Sequence, residues 1–336
     1  MEHNPISTHG IPEEQPIASA AAEVTYPPKF TREKKPVNVW LQSAVSLAAY
    51  LVLGYYIFNS YKMLLVVTGI VLMHELGHFF AMKYYRYRDL GIFFIPLLGA
   101  YVSGSKREVS QKQSAVILLA GPLPGMILGI GFLLLEQYTQ QSYFPFNVAL
   151  SQIAAFLIFL NLINLLPIYP LDGGQLLNRV FLDEDGILSK IFVFVSIALM
   201  CLAAWKIHYI LLIFPVMMLL RLRGDSQMNT LDKRIDESDI NADVSYEEMS
   251  DRDYWEMRKI LIEEHADFKN LNPGPPYQYS EREEKVMTTI QSLLHRHLIQ
   301  DVSIAGKIFI FLIWVAALAS PWLIEMDLSA FSKFGF

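Results

Sequence analysis

A single cysteine, Cys201, stands in 336 residues, so neither a disulfide framework nor a cysteine-built zinc module is available to this chain. Charge is scarce as well. Charged residues make up 18% of the chain against 53% hydrophobic ones, and mean hydropathy is +0.31, the balance of a multi-span membrane protein. Lys and Arg number 27 against 33 Asp and Glu, so no basic surface points to nucleic acid. The stretch from Met1 to Lys35 lacks the apolar core of a cleaved secretory signal. Its Pro, Glu, Ser and Ala predict a disordered cytosolic tail over residues 1–36.

What is present is apolar length. Runs of about 20 residues, enough to cross a bilayer, occupy Val37 to Phe58, Met63 to Met82, Ala115 to Leu135 and Val148 to Tyr169. Ile187 to Trp205 and Ile207 to Leu220 are shorter and carry or adjoin Lys190, Lys206 and His208, and they predict two tilted helices. Ile308 to Ile324 is the last run. The expected architecture is therefore an all-α polytopic membrane protein of about seven transmembrane helices. A six-span core covers residues 37–223, an acidic helical segment 224–303, and a final helix with a short tail 304–336.

Lys29, Arg32, Lys34 and Lys35 precede the first run and predict a cytosolic N-terminus. Threading seven spans from there places Lys83, Arg86, Arg88, Lys106, Arg107 and Lys112 in one cytosolic loop, while the opposite loop from Glu136 to Asn147 has no Lys or Arg. The same loop holds Asp89 to Ser105, whose apolar residues are broken by Gly and Pro. It predicts a membrane-associated β-hairpin, with a strand edge free to hold an unwound peptide, the alternative being an interfacial loop with aromatic anchors.

The acidity is local. Residues 224–303 carry 18 acidic residues against 9 basic ones. There Ser245-Tyr246-Glu247-Glu248 reads as a capping box opening one helix, and a second helix is expected over Glu281 to Gln300 beyond the break Asn270 to Pro276. His295 and His297, two apart, point to different faces and read as solvated.

Within the second run stands His74-Glu75-Leu76-Gly77-His78. On a helix, residues four apart lie about 40° apart around the axis, so both imidazoles share a face and can hold one tetrahedral Zn²⁺. Glu75, beside the metal, is placed to take a proton from water and not to ligate. Ionisable groups at that depth cost about 2.5 to 3.5 kcal/mol for the acid alone, which favours function over packing. His74 lies eleven residues past Met63, roughly 17 Å along the helix.

Two histidines leave the metal short of a third protein ligand. Asp172 is the best candidate, in Asn164-Leu165-Leu166-Pro167-Ile168-Tyr169-Pro170-Leu171-Asp172-Gly173-Gly174 at the end of the fourth run. Pro167 and Pro170 disrupt the helix and Gly173 and Gly174 allow unusual backbone, so a carboxylate can be aimed sideways into a bundle. Asn164, buried in the apolar part of the same run, reads either as interhelical glue or as a donor to an oxyanion.

HELGH on the second span with NLLPIYPLDGG on the fourth resembles the site-2 protease family of intramembrane zinc metalloproteases, over about Met63 to Asn178. The resemblance implies one Zn²⁺ per chain held by His74, His78 and Asp172, water activation by Glu75 and a catalytic-region role for Asn164. It implies hydrolysis of a peptide bond in or near the membrane span of a substrate protein, expected to be single-pass, with the loop after the HExxH helix handling that substrate. The segment Gly121-Pro122-Leu123-Pro124-Gly125 departs from many relatives, which carry a polar residue where Gly125 stands. A plasma-membrane location is expected from the lack of organelle-targeting features. The rival readings are a prenyl-protein-type membrane metalloprotease, which would offer a Glu as third ligand, a zinc-dependent transporter, against which the near-absence of further ionisable residues in the secure spans argues, and a silent scaffold, against which an intact Glu75 argues.

Overall fold

The computed structural model describes residues 25–32, 38–58, 60–96, 99–106, 109–139, 143–144, 148–182, 186–206, 209–294 and 298–323. Two units emerge, an apolar helical core and an acidic helical unit. In the core, α1 (Val39–Phe58) and α2 (Tyr61–Tyr84) lead into a hairpin of β1 (Arg88–Ile95) and β2 (Gly99–Ser105). The strands pair antiparallel with Ile95 opposite Gly99, and the register shifts between Arg88 and Gly91. The hairpin leans on α1 and α2 through Ile92 and Phe94, which pack with Tyr50, Leu64 and Phe79, and the Phe94 amide donates to Ser46 Oγ at 3.1 Å.

Next come the two-residue strand β3 (Val109–Ser110), α3 (Gln111–Ala120) and α4 (Pro122–Thr139). The expected single span over Ala115 to Leu135 is thus two helices meeting at Gly121, because Pro122 cannot donate the backbone bond that would continue α3. A short ladder of β4 (Tyr143–Phe144) and β5 (Val148–Ala149) precedes α5 (Leu150–Asn164). The fourth span was expected to run from Val148 to Tyr169, but α5 has 15 residues and stops before Pro167. The freed backbone groups find other partners: Trp314 Nε1 donates to the Leu165 carbonyl at 2.8 Å and the Tyr169 amide donates to Ser196 Oγ at 3.1 Å.

After the short α6 (Asp172–Leu176) and a π-helical turn over Leu177–Phe181, α7 (Ile187–Lys206) and α8 (Ile213–Asp236) complete the core. The sixth span was expected to end at Leu220 and its domain at 223, but α8 runs on as one helix across that boundary. Five segments are long and apolar enough to cross a membrane: Val39–Tyr56, Tyr61–Tyr84, Gln111–Thr139, Ile187–Lys206 and Ile304–Leu323. The chain is a mostly helical multi-pass membrane protein, and five, not seven, is the number of such segments among the described residues.

The acidic unit is built from the end of α8, α9 (Asp251–Glu264) and α10 (Glu283–Leu293), closed by β6 (Leu298–Ile299) and followed by α11 (Ile304–Leu323). Its core centres on Tyr254, Trp255, Met257, Leu261, Phe268 and Ile290. Ser245 and Glu248 do bond as a capping pair, with Ser245 Oγ donating to Glu248 at 2.8 Å, yet they close a turn; the cap of α9 is Ser250, which accepts from the Asp253 amide at 3.0 Å. The helix expected over Glu281 to Gln300 ends at Leu293, and Leu298 and Ile299 instead pair parallel with Val109 and Ser110 of the core. His295 and His297 lie outside the described residues.

Residues 25–32 belong to the tail expected to be disordered, but they are bound along this unit. Trp255 Nε1 donates to the Pro27 carbonyl at 2.8 Å, Tyr26 hydroxyl to Glu256 at 2.7 Å, and Lys29 Nζ to the carbonyls of Glu247 and Met249 at 2.7 and 2.6 Å. Two prolines, Pro27 and Pro28, hold the arm extended with no ladder partner required, and aromatic side chains supply the binding surface. The remaining tail residues, 1–24 and 33–37, lie outside the described set.

Candidate metal centre

The second helix starts at Ser60, whose side chain accepts from the Met63 amide. It carries His74, Glu75 and His78 to its inner face at 7%, 6% and 8% exposure, an unusual depth for three polar side chains. Gly77 lies between them. A Cβ there would overlap the Ala120 carbonyl, so a glycine is what allows α2 and the end of α3 to touch backbone to backbone. Gly121 meets the His78 ring in the same way.

Asp172 arrives from the other side of the core. Its segment doubles back after α5: a Cβ on Gly173 would strike the backbone of Leu165 and Leu166, and one on Gly174 that of Ile168 and Tyr169. This tight return sets the first residue of α6 against α2. Asp172 Oδ2 lies 3.0 Å from His74 Nε2 and 3.3 Å from His78 Nε2, and the two Nε2 atoms are 3.1 Å apart.

The partners of the other ring nitrogens decide what that triangle is. His74 Nδ1 faces Asn161 Oδ1 at 2.7 Å, and His78 Nδ1 faces the Ile117 carbonyl at 2.8 Å. Both oxygens only accept, so each Nδ1 carries the proton, and in the neutral ring each Nε2 presents a lone pair. Asp172 Oδ2 is buried and makes no hydrogen bond, which follows if neither Nε2 has a proton to give. Three acceptors about 3 Å apart repel one another unless a cation lies among them. Tetrahedral zinc with two nitrogens and one oxygen at about 2.0–2.2 Å places its ligands about 3.3 Å apart, so the donor set and its dimensions fit Zn²⁺. Among the described residues this is the one group of His, Cys, Asp and Glu side chains close enough to hold a metal ion.

Glu75 is outside that triangle but lines the same cavity, as does Asn164. The cavity measures about 1560 Å³. Strand β2 forms one wall, Arg86, Arg88 and Lys106 stand along it, and Ser245, Glu247 and Gln291 of the acidic unit face it from outside the core. Asn164 also donates to the Leu160 carbonyl of its own helix at 3.2 Å. Of the two asparagines on α5, Asn161 is the one that touches a histidine. It sits three residues before Asn164 in the same apolar run, so a polar side chain was visible in the sequence, but helical phase alone did not say which faces α2.

Fold and site together define the class: a polytopic helical protein with an internal His-His-Asp cluster. Comparison with known proteins shows what the chain is similar to. Residues 62–156, which carry the HExxH helix, match the model of peptidase family M50. The chain is 30% identical over 138 residues to a zinc metalloprotease of Methanocaldococcus jannaschii, covering 40% of this chain and 38% of that protein. It is likewise 30% identical over 126 residues to the stage IV sporulation protein FB of Bacillus subtilis, covering 36% of this chain and 40% of that protein. The chain thus spans about two fifths of the length of these curated relatives. Among solved structures, the site-2 protease from Methanocaldococcus jannaschii matches at a TM-score of 0.39 and 22% identity, over 58% of this chain and 92% of that one.

Proposed function

We propose that this chain is an intramembrane zinc metalloprotease that hydrolyses a peptide bond within or near the membrane span of another membrane protein, expected to be single-pass. The observation that carries the reading is the convergence of two imidazole lone pairs and an unpartnered carboxylate oxygen in a buried site beside Glu75. His74, His78 and Asp172 hold one Zn²⁺ per chain. When bound, that ion supplies a Lewis acid that makes water more acidic and polarises a carbonyl.

The chain's own groups do the rest. Glu75, buried beside His74 and lining the same cavity, accepts a proton from the attacking water and returns it to the departing amine. Asn164 borders the cavity and offers its side-chain amide to the oxyanion that forms at the scissile carbonyl. A helical substrate must unwind before its carbonyl is accessible. Strand β2, which pairs with β1 alone among the described residues, offers a backbone edge along the cavity where an extended peptide is held. The N-terminus and the acidic unit lie on the cytosolic side and the protein resides in the plasma membrane; the cations Arg86, Arg88 and Lys106 at the cavity support the cytosolic assignment through the positive-inside rule.

Glu75→Gln tests the reading. Detergent-purified variant should retain one zinc per chain by metal analysis, and membrane proteomics of cells making it should lose fragments that end inside a span and are present with wild type. Equal fragment patterns, or a wild-type protein that binds no zinc, would sink the proposal.

A further inference from the structure

We propose that Asn161 is a positioning residue of this centre, fixing the tautomer and ring orientation of His74, and that Gly125 is glycine because the Asn161 amide occupies the space a side chain there would need. This rests on the zinc reading above but makes a separate claim.

Asn161 is 1% exposed and lies on the face of α5 turned toward α2 and α4. Its amide has one orientation available. Nδ2 donates to the Leu157 carbonyl at 2.7 Å, so the atom 2.7 Å from His74 Nδ1 is the acceptor Oδ1. That contact holds the proton on Nδ1 and turns Nε2 toward His78 and Asp172. His78 is oriented to the same end by the Ile117 main-chain carbonyl, which no substitution removes. Of the two imidazoles, His74 is therefore the one whose pose depends on a replaceable side chain.

The helix α4 opens directly beneath this contact. An ideal Cβ at Gly125 would overlap Asn161 Nδ2 and crowd its carboxamide carbon. Gly125 is thus the residue of the Gly-Pro segment that makes room for the Asn161 side chain. A role confined to packing would make Asn161 matter for stability alone. Partners of metal-bound histidines instead tune affinity, by about 10–100-fold when removed.

The experiment measures zinc affinity of the full-length protein in detergent by competition with a chromophoric chelator, and the His74 tautomer by NMR of histidine-labelled, metal-free protein. Asn161→Leu, similar in size but without an acceptor, is expected to bind zinc about 10–100-fold more weakly and to lose the Nδ1–H signature at His74. Gly125→Ala is expected to weaken binding as well, by displacing the amide. The double variant should be no weaker than Asn161→Leu, because the amide that Gly125→Ala displaces is already gone. Zinc affinity within threefold of wild type in a folded Asn161→Leu overturns the proposal. Should Asn161→Leu fail to fold, wild-type affinity and an unchanged tautomer in Gly125→Ala overturn it equally. Failure of the zinc reading looks different: the wild-type protein itself would bind no zinc.

Discussion

At the scale of single residues, what matters is which lone pairs are left without protons. The Nδ1 atoms of His74 and His78 are committed to Asn161 and the Ile117 carbonyl, and Asp172 Oδ2 has no donor, so three acceptors converge in a buried volume. A cation held by these three groups binds only the folded state, and such a ligand raises stability. Asp172→Ala is therefore expected to leave a folded protein that has lost most of its zinc, and chelator should lower the melting temperature of wild type while scarcely moving that of the variant. Full zinc content in Asp172→Ala would reject its assignment as a ligand. The residue types were legible in the sequence, since HExxH and LDGG name them. Asn161 was not, because its role depends on which turn of α5 meets α2, and spacing within one helix does not reveal the neighbour.

At the scale of elements, backbone contact governs the core. Gly77 lets α2 meet the Ala120 carbonyl at the end of α3, the helix whose Ile117 orients His78. Gly69, two turns earlier on the same helix, has nothing within 4 Å of where a Cβ would be. The two positions make a matched pair. Gly77→Ala is expected to destabilise the folded protein by about 1–3 kcal/mol, since no rotamer change moves a backbone carbonyl out of the way. Gly69→Ala is expected to be neutral or slightly stabilising, because alanine is favoured over glycine in a helix by about 0.5–1 kcal/mol. Thermal melts in detergent would decide, and equal effects at both sites would refute the close-approach argument. Helix ends follow the same logic. The fourth run looked long enough to span, yet Pro167 ends α5 because the lost amide and the ring clash outweigh its apolar length. A strand hairpin after α2 was legible from Asp89 to Ser105, whereas its pairing register came from the pleat fitting Ile92 and Phe94 into α1 and α2.

At the scale of the molecule, a well-packed acidic unit sits against the core and closes one side of the cavity. It is joined by continuous α8, by the parallel pairing of β6 with β3, and by the Asp301 carboxylate, which accepts from the Lys112 amide at 3.0 Å. Its interior holds an ion pair: Arg258 donates to Glu283 at 2.7 and 3.1 Å, with Tyr254 donating to the same carboxylate at 2.5 Å. Burial alone would push the Glu283 pKa up, but the hydrogen bonds from Arg258 and Tyr254 outweigh it and hold the pKa below the ordinary glutamate value. A depressed folded pKa means that this contribution to stability is fully present above the unfolded value, about 4.3, and is lost as pH falls through the lower folded pKa. Acidification from neutral pH is thus expected to loosen the acidic unit in that range, read as a change in Trp255 fluorescence. Replacing Glu283 alone by Gln should cost about 3–5 kcal/mol by stranding Arg258, and should flatten the acid dependence. A Glu283→Gln protein as acid-sensitive as wild type would show that other carboxylates dominate.

That two helices build the acidic unit was legible in the sequence, but the arm over residues 25–32 was not. Pro-rich polar sequence reads as disorder when taken alone, and it is ordered here by a surface of Trp255, Tyr246 and Tyr279 that exists only once distant helices have packed. Composition and apolar run length alone determined that this is a membrane protein, and the spacing in HELGH alone determined that two imidazoles share a helical face, because both follow from local geometry. Packing brings Asp172 to them across a doubled-back chain, sets Asn161 against His74, and walls the cavity with the acidic unit. Those are distances between residues far apart in the chain, and only packing sets them.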